Sequence, residues 1–396
     1  MSYIVRRKLI GNNDFLQSLS RESGILYSQT LTYFWRLVRR KGIWLSEGSM
    51  QKIFMSKNLH AHSSDACVDA FYNALKSWRE HKKSDPSANP PSAQKYFYQL
   101  TYKSNAIRLK NGNLILSNGR NNKPLILKNW GFGIPKICTL HWTGKQYEII
   151  CTYSQIYPNI DIKTEVPVGV DIGQINVLAT SNGIICNGRY LRSLKQWRNK
   201  KLKDIQHKLK TKEKGSKQCK KLIRARNKLK SKVRHLENDI LHKYTTGLVL
   251  TQKNMGVNTL VVGDLTNYRL DNNKGKTRNK ENHEWSFGKI TQLLKYKCEK
   301  HGLKFILQEE SYTSQTCPQC GNRKKMKGRE FICEECNFKG HRDIVGANSI
   351  LRKYLGTFNN FQVVPEMTPG FSVRYKPNIN VVCGFKDLRL QESTGF

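Results

Sequence analysis

Two cysteine pairs, C-P-Q-C at Cys317 and Cys320 and C-E-E-C at Cys333 and Cys336, stand twelve residues apart, with Glu310 just before them and Asp343 just after. Four thiolates at this spacing suit tetrahedral zinc, at about 2.3 Å per Zn–S bond. The basic stretch between the pairs is long enough for a hairpin joining two knuckles. A pair of disulfides is the competing arrangement, and the spacing disfavours it. Because all four coordination positions are filled, the zinc is expected to be structural. A ribbon inserted between two acidic residues is not free-standing, since the chain on either side must continue as one fold. It is therefore read as an accessory module, residues 313–340, carried by a larger domain.

Bulk charge points to the partner. The 396 residues hold 69 Lys and Arg against 29 Asp and Glu, a formal charge of +40. Such a chain repels itself unless a polyanion offsets the charge, and binding to phosphates with release of counterions follows. The seven cysteines outside the ribbon are scattered without a pairing pattern, which favours a reducing compartment. No apolar run approaches the length of a membrane span, and the first ten residues lack the apolar stretch of a signal peptide. A soluble protein without membrane partners is expected.

The hydrophobic period changes along the chain. From 11 to 84 apolar residues recur at three- and four-residue steps, predicting a helical domain. The stretch S-D-P-S-A-N-P-P-S then breaks any helix. Short alternating segments joined by Gly and Asn turns follow up to about 165, and Tyr3 to Arg7 is strand-like too. Residues 1–10 and 85–165 are thus read as a β-barrel that receives residues 11–84 as an insertion. The segment V-P-V-G-V-D-I-G-Q-I-N-V-L-A-T-S-N-G, residues 166–183, reads as the opening strands of an RNase H-like domain, with Asp171 pointing into a site. A basic helical hairpin spans 191–250, broken near Gly215, with a narrow apolar seam that includes Trp197. A buried strand, T-L-V-V-G-D-L, precedes a polar, flexible, lid-like run over 266–285. An amphipathic helix over Ser286 to His301 and a strand ending at Glu310 lead into the ribbon. Asp343 falls on a short helix after it. The segment 356–396 is expected to be a mostly extended or disordered tail.

The motifs G-V-D-I-G, V-V-G-D-L-T, L-K-Y-K-C-E-K-H-G, Y-T-S-Q-T-C-P-Q-C-G, C-E-E-C and H-R-D-I-V-G-A-N, in that order, resemble the TnpB family of transposon-encoded RNA-guided nucleases. The compact type V CRISPR effectors share them. The resemblance covers about 166–352 by motif and 1–165 only by architecture. It implies a multidomain α/β protein: a wedge-like barrel with an inserted helical recognition domain, and a RuvC nuclease domain over 166–312 and 341–355 carrying the target nucleic acid-binding ribbon. It also implies a transposon-end-derived or CRISPR-like guide RNA, a double-stranded DNA target, and a prokaryotic, cytoplasmic protein held near the nucleoid by nucleic acid. Lys76, Trp78, Arg79, Lys95 and Tyr96 are candidate nucleic-acid contacts.

One position departs from the family. Most relatives carry the second catalytic acid as Glu in a strand reading V-x-E-D-L, and Gly263 stands there in this chain. The family offers a relocated version, with a Glu two residues before the Y-T-S motif, here Glu310. Asp264 is its competitor, but strand alternation turns it off the face that Gly263 occupies. The implied site is Asp171, Glu310 and Asp343 around two magnesium ions, with zinc on the four thiolates. A nuclease-dead RNA-guided repressor and a guide-free, resolvase-like zinc-ribbon protein are the alternatives.

Overall fold

The change of period near residue 85 marks where packed helices give way to strands. The computed structural model describes residues 2–94, 98–155, 157, 162–265, 275–324, 328–360, 367–378 and 381–384. The chain divides into a unit of Met1–Ile156 with Ile223–Lys228, and a unit of Tyr157–Leu222 with Leu229–Gly395. Among the described residues no helix is long and apolar enough to cross a membrane.

The first unit opens with β1 (Ser2–Gly11), followed by α1 (Asp14–Lys41), α2 (Glu47–Ile53) and α3 (Ala61–Ser84). The side chain of Asn13 accepts from the Leu16 amide and starts α1, and Gly42, at φ 66°, ends it in the left-handed conformation that suits glycine. Tyr27, Phe34, Met50, Val68 and Phe71 form the helical core. The strands β2 (Leu100–Lys103), β3 (Ile107–Lys110), β4 (Asn113–Leu116), β5 (Leu125–Leu127), β6 (Ile137–Trp142) and β7 (Tyr147–Gln155) complete the unit. They make one sheet of order β1-β7-β6-β2 and another of order β3-β4-β5. Asn111 and Gly112 both take positive φ, 50° and 69°, in the turn from β3 to β4, as a two-residue hairpin requires. Where the sequence suggested a barrel, the described strands form two sheets about one core, in which Tyr102, Leu140 and Tyr147 share a cluster with Leu114, Leu116 and Leu127. Among the described strands no ladder joins the two sheets.

The second unit contains β8 (Pro167–Asp171), β9 (Asn176–Thr180), β10 (Ile184–Asn187), α4 (Arg189–Lys210), α5 (Lys217–Asn254), β11 (Thr259–Asp264), α6 (Lys276–Glu284), α7 (Phe287–His301) and β12 (Lys304–Glu309). It continues with β13 (Glu330–Ile332), β14 (Lys339–His341), α8 (Arg342–Tyr354), β15 (Phe371–Lys376) and β16 (Val381–Cys383). Its main sheet has the order β12-β11-β8-β9-β10-β15-β16. β11 runs parallel to both β8 and β12, while β9 is antiparallel to β8 and β10. One face packs Val168, Val170, Leu260 and Val262 against Ile240, Tyr244, Leu248, Ile290 and Leu294 of α5 and α7. α8 approaches β8 so closely at Gly169 that a Cβ there would overlap the Ala347 carbonyl. Only glycine allows that contact.

Three expectations need correction. The segment after 356 is not simply an extended tail: β15 pairs in parallel with β10, and β16 follows antiparallel. Val373 and Tyr375 alternate inward into the core while Ser372, Arg374 and Lys376 stay exposed, a pattern too short and too charged to stand out from sequence. The run 266–285 is not wholly flexible. Residues 266–274 lie outside the described residues, but 276–284 form α6, which has no apolar stripe. It is held by polar contacts instead: Arg192 to Glu281 at 3.3 Å, and Arg198 and Asn199 to Glu284 at 2.7 and 2.6 Å. Finally, the basic hairpin turns at Gly215 as expected, φ 90°, yet Trp197 lies outside its seam and is 44 % exposed. α4 is instead fixed by Lys195, whose Nζ lies 2.6 Å from Glu237 Oε1 of α5, with both side chains nearly buried.

Candidate active site and metal centre

The parallel trio β8, β11 and β12 brings the acids together. Asp171 ends β8, and Glu310 directly follows β12. In the register of β11 with β8, Val261 lies opposite Gly169, so strand alternation puts Gly263 on the face of Asp171. That face is closed by α8, where an added Cβ on Gly346 would stand 3.5 Å from Asp171 Oδ2. Gly263 is buried, and its empty side-chain volume is taken by Glu310: a Cβ built on Gly263 would overlap the carboxylate and lie 2.6 Å from Glu310 Cγ. Asp264 is exposed. Glu309 is bound elsewhere, to Lys353 Nζ at 2.7 Å and to the Ser311 amide at 2.6 Å.

Asp343 sits in the first turn of α8, where the positive end of the helix dipole favours a carboxylate. Asn176 Nδ2 donates to its Oδ2 at 2.6 Å, and Arg329 Nη1 reaches Oδ2 and Oδ1 at 2.8 and 3.1 Å. Neither Asn176 nor Arg329 stood out from sequence. One is an unremarkable residue inside the first strand motif, and the other is one of several bases between the cysteine pairs.

The electrostatics are those of buried, crowded carboxylates. Loss of hydration, then the charge of Asp343, raises Asp171 to about 7. Burial, followed by the charges of Asp171, Asp264 and Glu309, raises Glu310 to about 8. Glu310 Oε1 is buried and has no hydrogen-bond partner. An unpaired buried carboxylate oxygen among like charges is costly unless a cation or a proton satisfies it. These residues therefore fit hard divalent ions bound through oxygen.

The four-cysteine group is compact. The donor atoms of Cys317, Cys320, Cys333 and Cys336 all lie within 4.8 Å of one another, the one such group among the described residues. Cys317 and Cys336 sulfurs are 3.6 Å apart, and those of Cys320 and Cys333 3.4 Å, close to the about 3.8 Å of a tetrahedral zinc tetrathiolate. Burial would push the Cys333 thiol up, but the amides of Cys336 and Glu335 and the neighbouring thiols bring it down to about 7, whereas burial raises Cys317 to about 12 and also raises Cys320. Phe331 and Phe338 pack with Val345 of α8, and Arg352 Nη1 donates to the Pro318 carbonyl at 2.6 Å. The ribbon is thus bound to the helix that carries Asp343. Of the other seven cysteines, six are buried and all are free.

The candidate nucleic-acid contacts separate. Lys76 and Arg79 are exposed on α3, with the Arg79 guanidinium 4.3 Å above the Trp44 ring. Trp78 packs in the helical core against Trp35, and its Nε1 donates to the Ala88 carbonyl at 2.9 Å, so its indole donor is already used. Lys95 and Tyr96 lie outside the described residues.

Residues 157–269 match the family model described as a probable transposase, and residues 287–350 match the Cas12f1-like TNB domain. A putative transposase of Methanocaldococcus jannaschii is 30% identical over 86 residues, covering 19% of this chain and 79% of the relative. A putative RNA-guided DNA endonuclease of Streptomyces pristinaespiralis is 28% identical over 193 residues, 48% of this chain and 45% of the relative. A solved complex of Cas12f1 with sgRNA and target DNA is similar in fold, with a TM-score of 0.54 at 15% identity, over 85% of this chain and 81% of that one. For several of the curated relatives that it matches, the chain spans only 30 to 54% of their length.

Proposed function

The chain belongs to the TnpB family, and on that premise we propose that it is an RNA-guided DNA endonuclease with a RuvC-type site. One observation carries the reading: Glu310 fills the side-chain space of Gly263 beside Asp171 with a buried, unpartnered oxygen. An acid is thereby supplied on the face where Gly263 offers none.

Asp171, Glu310 and Asp343 would hold two magnesium ions, with Asp171 between the other two. Magnesium, when bound, supplies activation of water and stabilisation of the leaving 3′-oxygen. The residues of the chain do the rest. Burial and mutual repulsion leave the carboxylates in need of a proton or a cation, Gly346 leaves room beside Asp171, and Arg329 and Asn176 hold Asp343 from the ribbon and β9. Oxygen donors take the hard magnesium and thiolates the softer zinc, so the two metals are sorted by ligand chemistry. Sequence specificity would come from pairing of a guide RNA with the target strand, the protein reading a short adjacent duplex motif. The exposed lysines of α4 and α5 suit a phosphate backbone.

Gly263 also favours a second reading, a nuclease-dead RNA-guided repressor, and Glu310 separates the two. The protein should be purified with its RNA, the RNA sequenced, and its guide segment replaced. Cutting that moves to the newly matched DNA supports the endonuclease. Guided binding without cutting supports the repressor, and equal cutting by RNA-free protein removes both in favour of a guide-free enzyme.

A further inference from the structure

Asp343 is held from two sides by donors of different kinds. Arg329 is cationic, with its side chain 38% exposed. An arriving divalent ion repels it, and it has solvent to move into. Asn176 is neutral and only 7% exposed, so it neither opposes a cation nor has room to leave. Its donor atom is defined by chemistry, because an ionised carboxylate can only accept.

The backbone around Asn176 is fixed as well. Asn176 opens β9, and its carbonyl comes so near the preceding turn that a Cβ on Gly173 would lie 2.6 Å from it. The Gly173 amide donates to Val177 at 3.3 Å, closing that turn. On the far side Asn176 pairs with Asn187 next to a shift in the β9 to β10 register. The same turn begins only two residues after Asp171, so one short segment sets the placement of one acid and the hydrogen bond to another.

We propose that Asn176 is a positioning residue for the divalent-metal site: its amide holds Asp343 Oδ2 and leaves Oδ1 as the oxygen available to a metal once Arg329 withdraws. The inference rests on the nuclease reading of the site. Partners of ligating carboxylates typically contribute about 10- to 100-fold in metal affinity.

The test is a calorimetric titration of the RNA-freed, full-length chain with Mn²⁺, counting only binding that Asp171→Ala removes. Asn176→Ala should weaken that binding about tenfold or more, with zinc content unchanged. Asn176→Gln, which keeps an amide donor, should recover part of the loss, and the Mg²⁺ needed for half-maximal guided cleavage should follow the same order. Asn176→Leu, close in volume and without a donor, replaces Asn176→Ala if the latter fails to fold. Wild-type affinity in a donorless variant, a folded Asn176→Gln as weak as Asn176→Ala, or failure of both donorless variants to fold would each overturn the proposal. If the unaltered chain shows no Mn²⁺ binding that Asp171→Ala removes, the nuclease reading fails instead.

Discussion

Glu310 occupies the volume that a side chain on Gly263 would need. Gly263 lies on β11 and Glu310 directly follows its parallel neighbour β12, so a Glu at 263 and the present Glu310 exclude one another. A glycine at 263 and an acid at 310 are therefore one linked feature.

This linkage predicts that Gly263→Ala damages the site although it removes no acid. The added methyl must displace Glu310, and a shift of about 1 Å can cost about 10²-fold in rate. Cleavage should fall by that order while guided DNA binding persists. Moving the acid to position 263, Gly263→Glu with Glu310→Gly, should restore part of the rate lost in Glu310→Gly alone. A Gly263→Ala variant as active as the unaltered protein would refute the linkage.

The ribbon should act on the site through α8. Phe331, Phe338 and Val345 share a cluster with Cys317, Cys333 and Cys336, and Arg329 reaches from the ribbon to Asp343. Replacing Cys317, Cys320, Cys333 or Cys336 with Ser should release zinc and lower cleavage by misplacing Asp343. Elemental analysis should find about one zinc per chain in the active protein. Full activity in a zinc-free, reduced preparation would contradict this.

The metal-free protein should lose stability as pH rises. Asp171 and Glu310 are raised in the folded state, to about 7 and about 8, against about 4 when unfolded. Between these limits the folded state binds more protons than the unfolded, so stability declines from about pH 4 to about pH 8. Thermal unfolding in a chelator should show the decline, and Asp171→Asn should reduce it. Excess magnesium should offset it at the alkaline end. A melting temperature equal in Asp171→Asn and the unaltered chain at every pH would argue against a strained acid pair.

One nearly buried ion pair joins the two helices of the basic hairpin. Lys195 pairs with Glu237, donates to the Glu284 carbonyl at 2.8 Å, and lies 5.4 Å from the Trp285 ring centroid. Removing one partner of such a pair strands a charge and costs about 3–5 kcal/mol. Lys195→Met should therefore destabilise the protein by that amount in denaturant unfolding, and Lys195→Met with Glu237→Leu should cost less. Equal losses in the single and double variants would show that packing, not charge, is what matters.

Much of the site was legible because its signals are local. Cysteine spacing announced the ribbon, and the apolar run ending at Asp171 announced β8. Glu310 was suggested by the family resemblance, and strand alternation only turned Asp264 off that face, where the structure leaves it exposed. What escaped lay in contacts between distant segments. Asn176 and Arg329 gain meaning only when β9 and the ribbon meet at Asp343. α6 lacks an apolar stripe and is held by carboxylates answering Arg192 and Arg198, which leaves no periodicity to read. β15 is short, with Val373 and Tyr375 buried and Phe371 packed beside them, and its partner β10 lies nearly two hundred positions earlier in the chain.

The central claim is that Glu310 supplies the acid missing at Gly263. It is tested most directly by guided cleavage of a matched DNA target in magnesium, comparing the unaltered protein with Glu310→Ala and Asp264→Ala, with DNA binding measured in parallel. The account predicts that Glu310→Ala binds the target and does not cut it, while Asp264→Ala keeps most of the cutting. Normal cutting by Glu310→Ala together with its loss in Asp264→Ala would contradict it.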